Sequence, residues 1–340
     1  MSAEVYTHDA VREFGGYLPL ELPVGREYFE QGPDWNVRRL NSARSAIHLA
    51  LKTLDVRRVF YPRYYCPSTI DAIRSFGYEL VEYPIGFDLE PRSDSLSPEC
   101  DDAVILVDYY GILGERLLPW VERYSKVIID NAQSFFARPV CRRGVITVNS
   151  CRKFFGVSDG AYAISADLLN SPDWELDESA SRIDFLAGQV ERGSNAYYEP
   201  MLKSKVSLAK PMRMSAFTRR VLASIDYEWV RAVRLRNYQT LHEELGDIQK
   251  LEVPDSPISP WCYPLLTDRI LRRSLVARRV YVPRIWETWD GMDAVETPEC
   301  VYSNYLTCLP IDQRYDVDDM QALAAIVREE WDCADAMRLT

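Results

Sequence analysis

Short apolar runs separated by stretches of helical period fill the first half of the chain. Val59-Phe60-Tyr61, Leu80-Val81-Glu82-Tyr83, Val104-Ile105-Leu106-Val107 and Val127-Ile128-Ile129 each run into a polar or turn residue. Buried parallel strands read this way, because both of their faces are covered and their carboxyl ends open on loops. Between the runs, Ala46, Ile47, Ala50, Leu51 and Leu54 share one face of a helix that Ser42 can cap, and Ser68 can open a second helix carrying Ile70 and Ile73. Alternation of this kind predicts an α/β fold, a mostly parallel sheet with helices on both faces, whose ligands gather at the carboxyl ends of the strands.

The period weakens between about residues 170 and 215, where Gly188, Gly193, Ser194, Asn195 and Pro200 interrupt it and basic residues gather from Lys203 to Lys210. This segment reads as a long functional connection. Beyond it, Val221, Ile225, Trp229 and Val233 recur at four-residue spacing, which predicts one long linking helix to about Leu245. Val280-Tyr281-Val282 reads as a strand, and Asp316 or Asp318 can cap a last helix bearing Leu323, Ile326 and Val327. The expected organisation is an N-terminal arm and large domain over 1–210, then a linking helix and a smaller α+β domain over 211–340.

Composition narrows the functional classes. The chain has 340 residues, 47% of them apolar, so it can bury a sizeable core, and no uninterrupted apolar stretch is long enough to span a bilayer. A formal charge of -11 opposes binding to nucleic acid or anionic membranes, so any anionic ligand needs a local cationic cluster. The start, Met1-Ser2-Ala3-Glu4, has no basic-then-apolar pattern, and a cytoplasmic location is expected. The eight cysteines include no C-x-x-C pair and His8, His48 and His242 are far apart, so neither a disulfide framework nor a metal site is expected.

The informative chemistry begins where Val127-Ile128-Ile129 delivers Asp130, Asn131 and Gln133 to the functional edge of the sheet. Pyridoxal phosphate needs such a carboxylate against its pyridine nitrogen, because the protonated ring stabilises a carbanion next to the imine. Alone, Asp130 would be a turn or cap residue. Lys153, in Asn149-Ser150-Cys151-Arg152-Lys153-Phe154-Phe155-Gly156, follows at a distance that admits a turn and one more strand, so both side chains can reach one edge. Its apolar neighbours, with Arg152 beside it, favour the neutral amine that attacks a carbonyl. The turn Asn41-Ser42-Ala43-Arg44-Ser45 opens the first helix and offers free N–H groups to a phosphate. Tyr61, Tyr64 or Tyr65, after the next strand, can stack on a planar ring.

With these segments in order, the sequence resembles the sugar aminotransferases of the DegT/DnrJ/StrS type, within the fold-type I, aspartate-aminotransferase-like pyridoxal-phosphate enzymes. Asn-Ser-Ala-Arg-Ser-Ala at 41–46 is similar to the family's Ser-Gly-Thr-x-Ala phosphate loop, and Ile-Asp-Asn-Ala-Gln at 129–133 to its Glu-Asp-Ala-Ala-Gln. Lys153 with Gly156 and Asp159-Gly160 resembles the segment around the Schiff-base lysine. Asp108-Tyr109-Tyr110-Gly111, Arg213-Met214-Ser215 and Cys308-Leu309-Pro310 resemble three further family segments. The sequence departs from the pattern at Ala43, where a glycine is usual, at Cys66, where an aromatic usually stacks, and at Val148, where a serine is usual.

The resemblance implies that Lys153 holds the cofactor as a Schiff base, Asp130 binds the pyridine nitrogen and Gln133 lies against the ring or its phenolate oxygen. It also implies that Ala43 and Arg44 contact the phosphate. Ser150, Asn149 or Thr147 can stand in for the serine, and Tyr64 or Tyr65 for the stacking ring. The implied reaction is a ping-pong transamination through pyridoxamine phosphate, from an amino-acid donor, glutamate foremost, to a keto sugar, nucleotide-linked, used for surface polysaccharide or a glycosylated metabolite. Arg152, Arg192 and Arg284 are the candidates for the sugar nucleotide's phosphates. A homodimer with shared active sites is implied too, residues 182–215 reaching the partner. The alternatives are a dehydratase or lyase on the same scaffold, which retention of Lys153 opposes, and a non-catalytic binding or regulatory protein, which Asp130 and Lys153 together oppose. A dinucleotide-binding oxidoreductase lacks its G-x-G-x-x-G here.

Overall fold

The computed structural model describes residues 14–336 apart from positions 19, 31, 33, 93–95, 170–171, 194–196, 207, 209 and 287–296. His8, Ser194 and Asn195 lie outside the described residues. Seven strands form one sheet: β1 (Asn36–Leu40), β2 (Arg58–Pro62), β3 (Glu79–Tyr83), β4 (Asp102–Val107), β5 (Val127–Asn131), β6 (Val145–Ser150) and β7 (Ala161–Ser165). Their spatial order is β1-β7-β6-β5-β4-β2-β3. Strands β2 to β6 run parallel, while β7 is antiparallel to β6 and to β1. The four apolar runs of the sequence lie within β2, β3, β4 and β5. In β4 and β5 every residue is buried, as strands covered on both faces must be.

Helix α1 (Ala43–Leu54) packs on β6 and β7 and starts at Ser42, whose Oγ accepts the Ser45 N–H at 3.2 Å. Helix α2 (Pro67–Ser75) starts one residue earlier than its sequence suggests. Cys66 takes the cap position and Pro67, with no N–H to satisfy, the first turn, so Ser68 lies inside the helix. After the short α3 (Leu118–Arg123), the connection expected to be irregular contains α4 (Asp184–Arg192) and α5 (Tyr198–Val206). Gly188 is a packing residue there: a Cβ on it would meet the Tyr197 ring at 2.2 Å.

The single long linking helix is also corrected, since α6 (Ala216–Leu222) and α7 (Tyr227–Leu245) are separate. Asp226 breaks the run by accepting the Trp229 N–H at 3.0 Å, and Trp229 is exposed. The C-terminal part holds a two-stranded antiparallel sheet of β8 (Tyr263–Leu266) and β9 (Leu306–Leu309), with α8 (Arg272–Ala277), α9 (Pro298–Tyr305) and α10 (Val317–Ala336). Asp316, rather than Asp318, caps α10: it accepts the Asp319 N–H at 3.0 Å and Asp319 accepts the Asp316 N–H at 3.1 Å. Val280 to Val282 form no strand; Val280 and Val282 are buried, but among the described residues no neighbouring strand pairs with them.

One apolar cluster runs without a break from Ile105 and Ile128 in the sheet to Leu241, Leu265, Leu309 and Val327. A second, built on Phe135, Phe154, Phe155 and Tyr162, underlies the loop between β6 and β7. At the end of β4, Tyr110 (φ 58°) and Gly111 (φ 74°) are left-handed. A Cβ at 111 would lie 1.9 Å from the Ser259 carbonyl oxygen, so only glycine closes this turn. Among the described residues no helix is long and apolar enough to cross a membrane.

Candidate active site

The carboxyl ends of β1, β2, β5 and β6 converge on one cleft of about 990 Å³. Ser42, Ala43 and Arg44 follow β1, Tyr65 and Cys66 follow β2, Asp130 ends β5, and Ser150 ends β6 just before Lys153. Asp130 is fixed on both oxygens. Its Oδ2 accepts the Tyr65 hydroxyl at 2.5 Å and its Oδ1 the Ala132 N–H at 2.9 Å. Burial, and then the Asp130 charge, push the Tyr65 phenol well above its usual range, so it stays a proton donor.

Lys153 sits in a 3-10 turn immediately after β6, its Nζ 5.0 Å from the centre of the Trp261 ring. Burial lowers its pKa below the ordinary lysine value, with Asp130 pulling the other way. Arg152, expected to drive that shift, instead turns an NH2 group to Ser204 Oγ at 2.8 Å. Its own pKa falls to about 10, through burial first, with Asp159 opposing and Arg182 and Arg44 adding to the drop. Arg44 is lowered by burial as well. At neutral pH both guanidinium groups remain charged beside the first turn of α1, whose leading N–H groups have no intrahelical acceptor.

Gln133 lines the cleft, and its Oε1 accepts the Tyr110 N–H at 2.6 Å, which leaves the Nε2 amine as the group it can offer. The left-handed turn and Gln133 are thus one unit. Of the two residues offered as substitutes for the usual serine beside Ser150, Thr147 and Asn149 both lie on the opposite face of β6, as strand alternation requires. Asn149 is buried and donates to the Phe135 carbonyl at 3.0 Å, away from the cleft. Ser150 lines the cleft on the face that Val148 shares.

Two other expectations fail on geometry. Tyr64 points into the core, its hydroxyl 2.9 Å from that of Tyr110, whereas the neighbouring Tyr65 faces the cleft. Arg192 is exposed in the last turn of α4 and does not line the cleft, although Phe185, Leu186 and Gln189 of that helix do. Arg284 does line it.

The sequence reading missed Trp261, Arg234 and the segment Asp312-Gln313-Arg314, which line the same cleft. They carry no motif. A local signal existed for Arg234, a charge among Val230, Val233, Asn237, Tyr238 and Leu241 on the buried face of α7.

The chain has the fold of sugar aminotransferases known from solved structures. A putative sugar aminotransferase, Spr1654 from Streptococcus pneumoniae in its PMP form, is similar over 89% of this chain and 88% of its own, at 15% identity and a TM-score of 0.63. A DegT DnrJ EryC1 StrS aminotransferase from Brucella abortus covers 86% and 85%, at 17% identity and a TM-score of 0.58. DesI, solved in the presence of its TDP-sugar product, covers 86% and 80%, at 14% identity and the same TM-score of 0.58. No family model matches the chain, and no curated protein matches it by sequence.

Proposed function

We propose that the protein is a pyridoxal-phosphate-dependent aminotransferase that moves an amino group from an amino acid, glutamate foremost, to a keto sugar linked to a nucleotide. The observation that carries this reading is the meeting of Lys153, with its lowered pKa, and the doubly anchored Asp130 in one cleft that also holds the first turn of α1. The residues present fit the cofactor. A carboxylate stands ready for a ring N–H, an amine for an aldehyde, and a helix N-terminus with Arg44 for a phosphate. When bound, pyridoxal phosphate supplies that aldehyde and a protonated ring that draws electrons from the carbon beside the nitrogen.

The chain's own groups do the rest. Asp130 would hold the ring proton, with Tyr65 and Ala132 fixing its carboxylate. The amine of Lys153, whose charge burial disfavours, would be the group that holds the cofactor and, when free, the base for the donor's α-proton. Arg44, Ser42 and Ser150 would meet the phosphate, and Gln133 would offer Nε2 to the ring's phenolate oxygen. DesI and its TDP-sugar support a nucleotide-linked acceptor, for which Arg152 and Arg284 are the phosphate candidates. The use of the product in surface polysaccharide or a glycosylated metabolite is part of the same reading. So is a cytoplasmic location, which eight unpaired thiols suit.

The test is the absorbance spectrum of the purified protein with pyridoxal phosphate, before and after excess glutamate. A lysine-bound cofactor band that gives way to the pyridoxamine phosphate band is expected; a protein that forms no such band overturns the reading. In Asp130→Ala the band should still form, but conversion by glutamate should slow roughly 10- to 150-fold, the worth of a hydrogen bond to a charged group.

A homodimer belongs to this proposal, as does division into two units near residue 211. Val190 (89% exposed), Tyr198 (55%) and Leu202 (40%) on α4 and α5 leave apolar side chains in water, as do Phe14, Tyr17 and Leu18 near the start of the described chain. Sedimentation at micromolar concentration should give twice the chain mass, and a monomer retaining full activity would remove the dimer from the proposal.

A further inference from the structure

The connection between β7 and α6 leaves the large sheet and returns to it at one place. Asp177 N–H donates to the Arg213 carbonyl at 3.0 Å, Arg213 N–H to the Glu175 carbonyl at 2.9 Å, and Met214 N–H to the Arg39 carbonyl of β1 at 3.1 Å. Arg213 thus bridges Leu176 on one side and Leu40 on the other. Asn41, just before α1, adds to this base: its Nδ2 donates to Asp177 Oδ2 at 3.0 Å and to the Lys210 carbonyl at 3.1 Å. A segment whose two ends are held together and whose side chains pack on one another is a compact flap, and the place of its base limits what it can cover. Here the base lies beside the first turn of α1, at the edge of the cleft.

Helices α4 and α5 are the body of the flap, joined through the Gly188 contact with Tyr197. Phe185, Leu186 and Gln189 of α4, Met201 of α5 and Leu208 line the cleft that holds Lys153. Two contacts fall on the lysine turn itself. Leu186 Cδ2 is 3.8 Å from the position a Cβ would take on Gly156. Ser204, buried in α5, accepts Arg152 NH2 on its Oγ at 2.8 Å and donates to the Met201 carbonyl at 2.7 Å. Arg152 and Gly156 flank Lys153 in the chain. On the other side of the flap, Val190, Tyr198 and Leu202 face water.

We propose that α4 and α5 close the cleft of their own chain and position the turn carrying Lys153, through Leu186 on Gly156 and Ser204 on Arg152, and that a partner subunit meets only the outer side of this flap. A site shared between subunits through residues 182–215 would need the flap to lie on the partner's cleft. Its base beside β1 and its apolar inner side, already seated on the lysine turn, oppose that arrangement. The apolar side also keeps water from the reacting amine. Which chain's cleft the flap covers is independent of the aminotransferase reading; the positioning of Lys153 for reaction rests on it.

The first test makes no demand on activity. Gly156→Cys combined with Leu186→Cys is treated with a short bifunctional maleimide, and the wild-type chain with its eight native cysteines is the blank. Peptide mass analysis should find positions 156 and 186 linked within a band of single-chain mass on a denaturing gel. A link between two chains would overturn the proposal, and so would folded protein with no link. If the double variant does not fold, Arg152→Cys with Ser204→Cys replaces it, with the same expected result. Positioning is read from the glutamate half-reaction of the protein loaded with pyridoxal phosphate. In Ser204→Ala the rate at saturating glutamate should fall about tenfold, the lower end for a hydrogen bond to a charged group, with the half-saturating concentration within about twofold of wild type. Ser204→Thr, which keeps the hydroxyl, should recover most of the rate. An unchanged rate in Ser204→Ala, or equal losses in the two variants, would overturn the positioning role. A chain that links within itself yet forms no lysine-bound cofactor band would defeat the aminotransferase reading while keeping the flap, so the two failures are separable.

Discussion

Lys153→Ala is expected to abolish amine transfer, lowering the glutamate half-reaction by at least about 10⁴-fold, because in the proposed reaction the substitution removes nucleophile and base together. Among the described residues lining the cleft Lys153 is the one lysine. Borohydride reduction followed by peptide mass analysis checks this directly. Wild type should carry the reduced cofactor on the peptide containing Lys153, and the variant should carry none; an adduct retained in the variant would reassign the lysine. A companion effect concerns stability. The folded pKa of Lys153 lies below its unfolded value, so between the two the unfolded chain binds more protons, and stability rises with pH through that window. Below the window the folded protein carries the full cost of a buried charge. Lys153→Met, which keeps the volume without the charge, should therefore unfold at higher urea than wild type at pH 7 in the absence of cofactor, and the advantage should shrink as pH approaches that of free lysine.

The second large effect is on folding. Asp159, fully buried, closes the loop that carries Lys153. Its Oδ1 accepts the hydroxyls of Ser179 at 2.6 Å and Ser215 at 2.7 Å, and that of Thr218 as well, while its Oδ2 accepts the Ser215 N–H at 2.8 Å. One carboxylate thus joins the lysine loop, the segment before α4 and the first turn of α6. Asp159→Ala strands these donors in a dry environment and should cost about 3–5 kcal/mol, seen as a lower urea midpoint with an unchanged slope. A loss under about 1 kcal/mol would mean that water enters and replaces the carboxylate. Because Ser215 also caps α6, the pair Asp159→Ala and Ser215→Ala should be strongly non-additive.

The central strands were legible because burial on both faces writes itself as an unbroken apolar run, and α1 because Ser42 and a five-residue apolar face agree. The failures have physical reasons as well. Gly188 and Pro200 were read as breaks, yet one makes room for Tyr197 and the other lies in the first turn of α5, where proline is tolerated. The four-residue spacing from Val221 to Val233 concealed the cap at Asp226, a local hydrogen bond outranking a long-range pattern. Val280 to Val282 has the composition of a strand, but a strand needs a neighbour, and pairing is invisible in one segment. Within the site, the residues contributed by strand ends were readable from order and spacing. Tyr64 and Tyr65 were not separable, since only the turn after β2 decides which ring enters the cleft. The part of the lining assembled from residues 234, 261 and 312–314 is a product of tertiary folding alone.

The Phe154 carbonyl accepts two side chains at once, Arg234 of α7 at 3.3 Å and Gln313, ahead of α10, at 2.9 Å. That peptide is the next one after Lys153, so the amine is tethered to the C-terminal part of the chain as well as to β6. The aim of the amine is thereby tied to two elements far from it in sequence, and a change in α7 or ahead of α10 is transmitted to the lysine turn through one carbonyl oxygen.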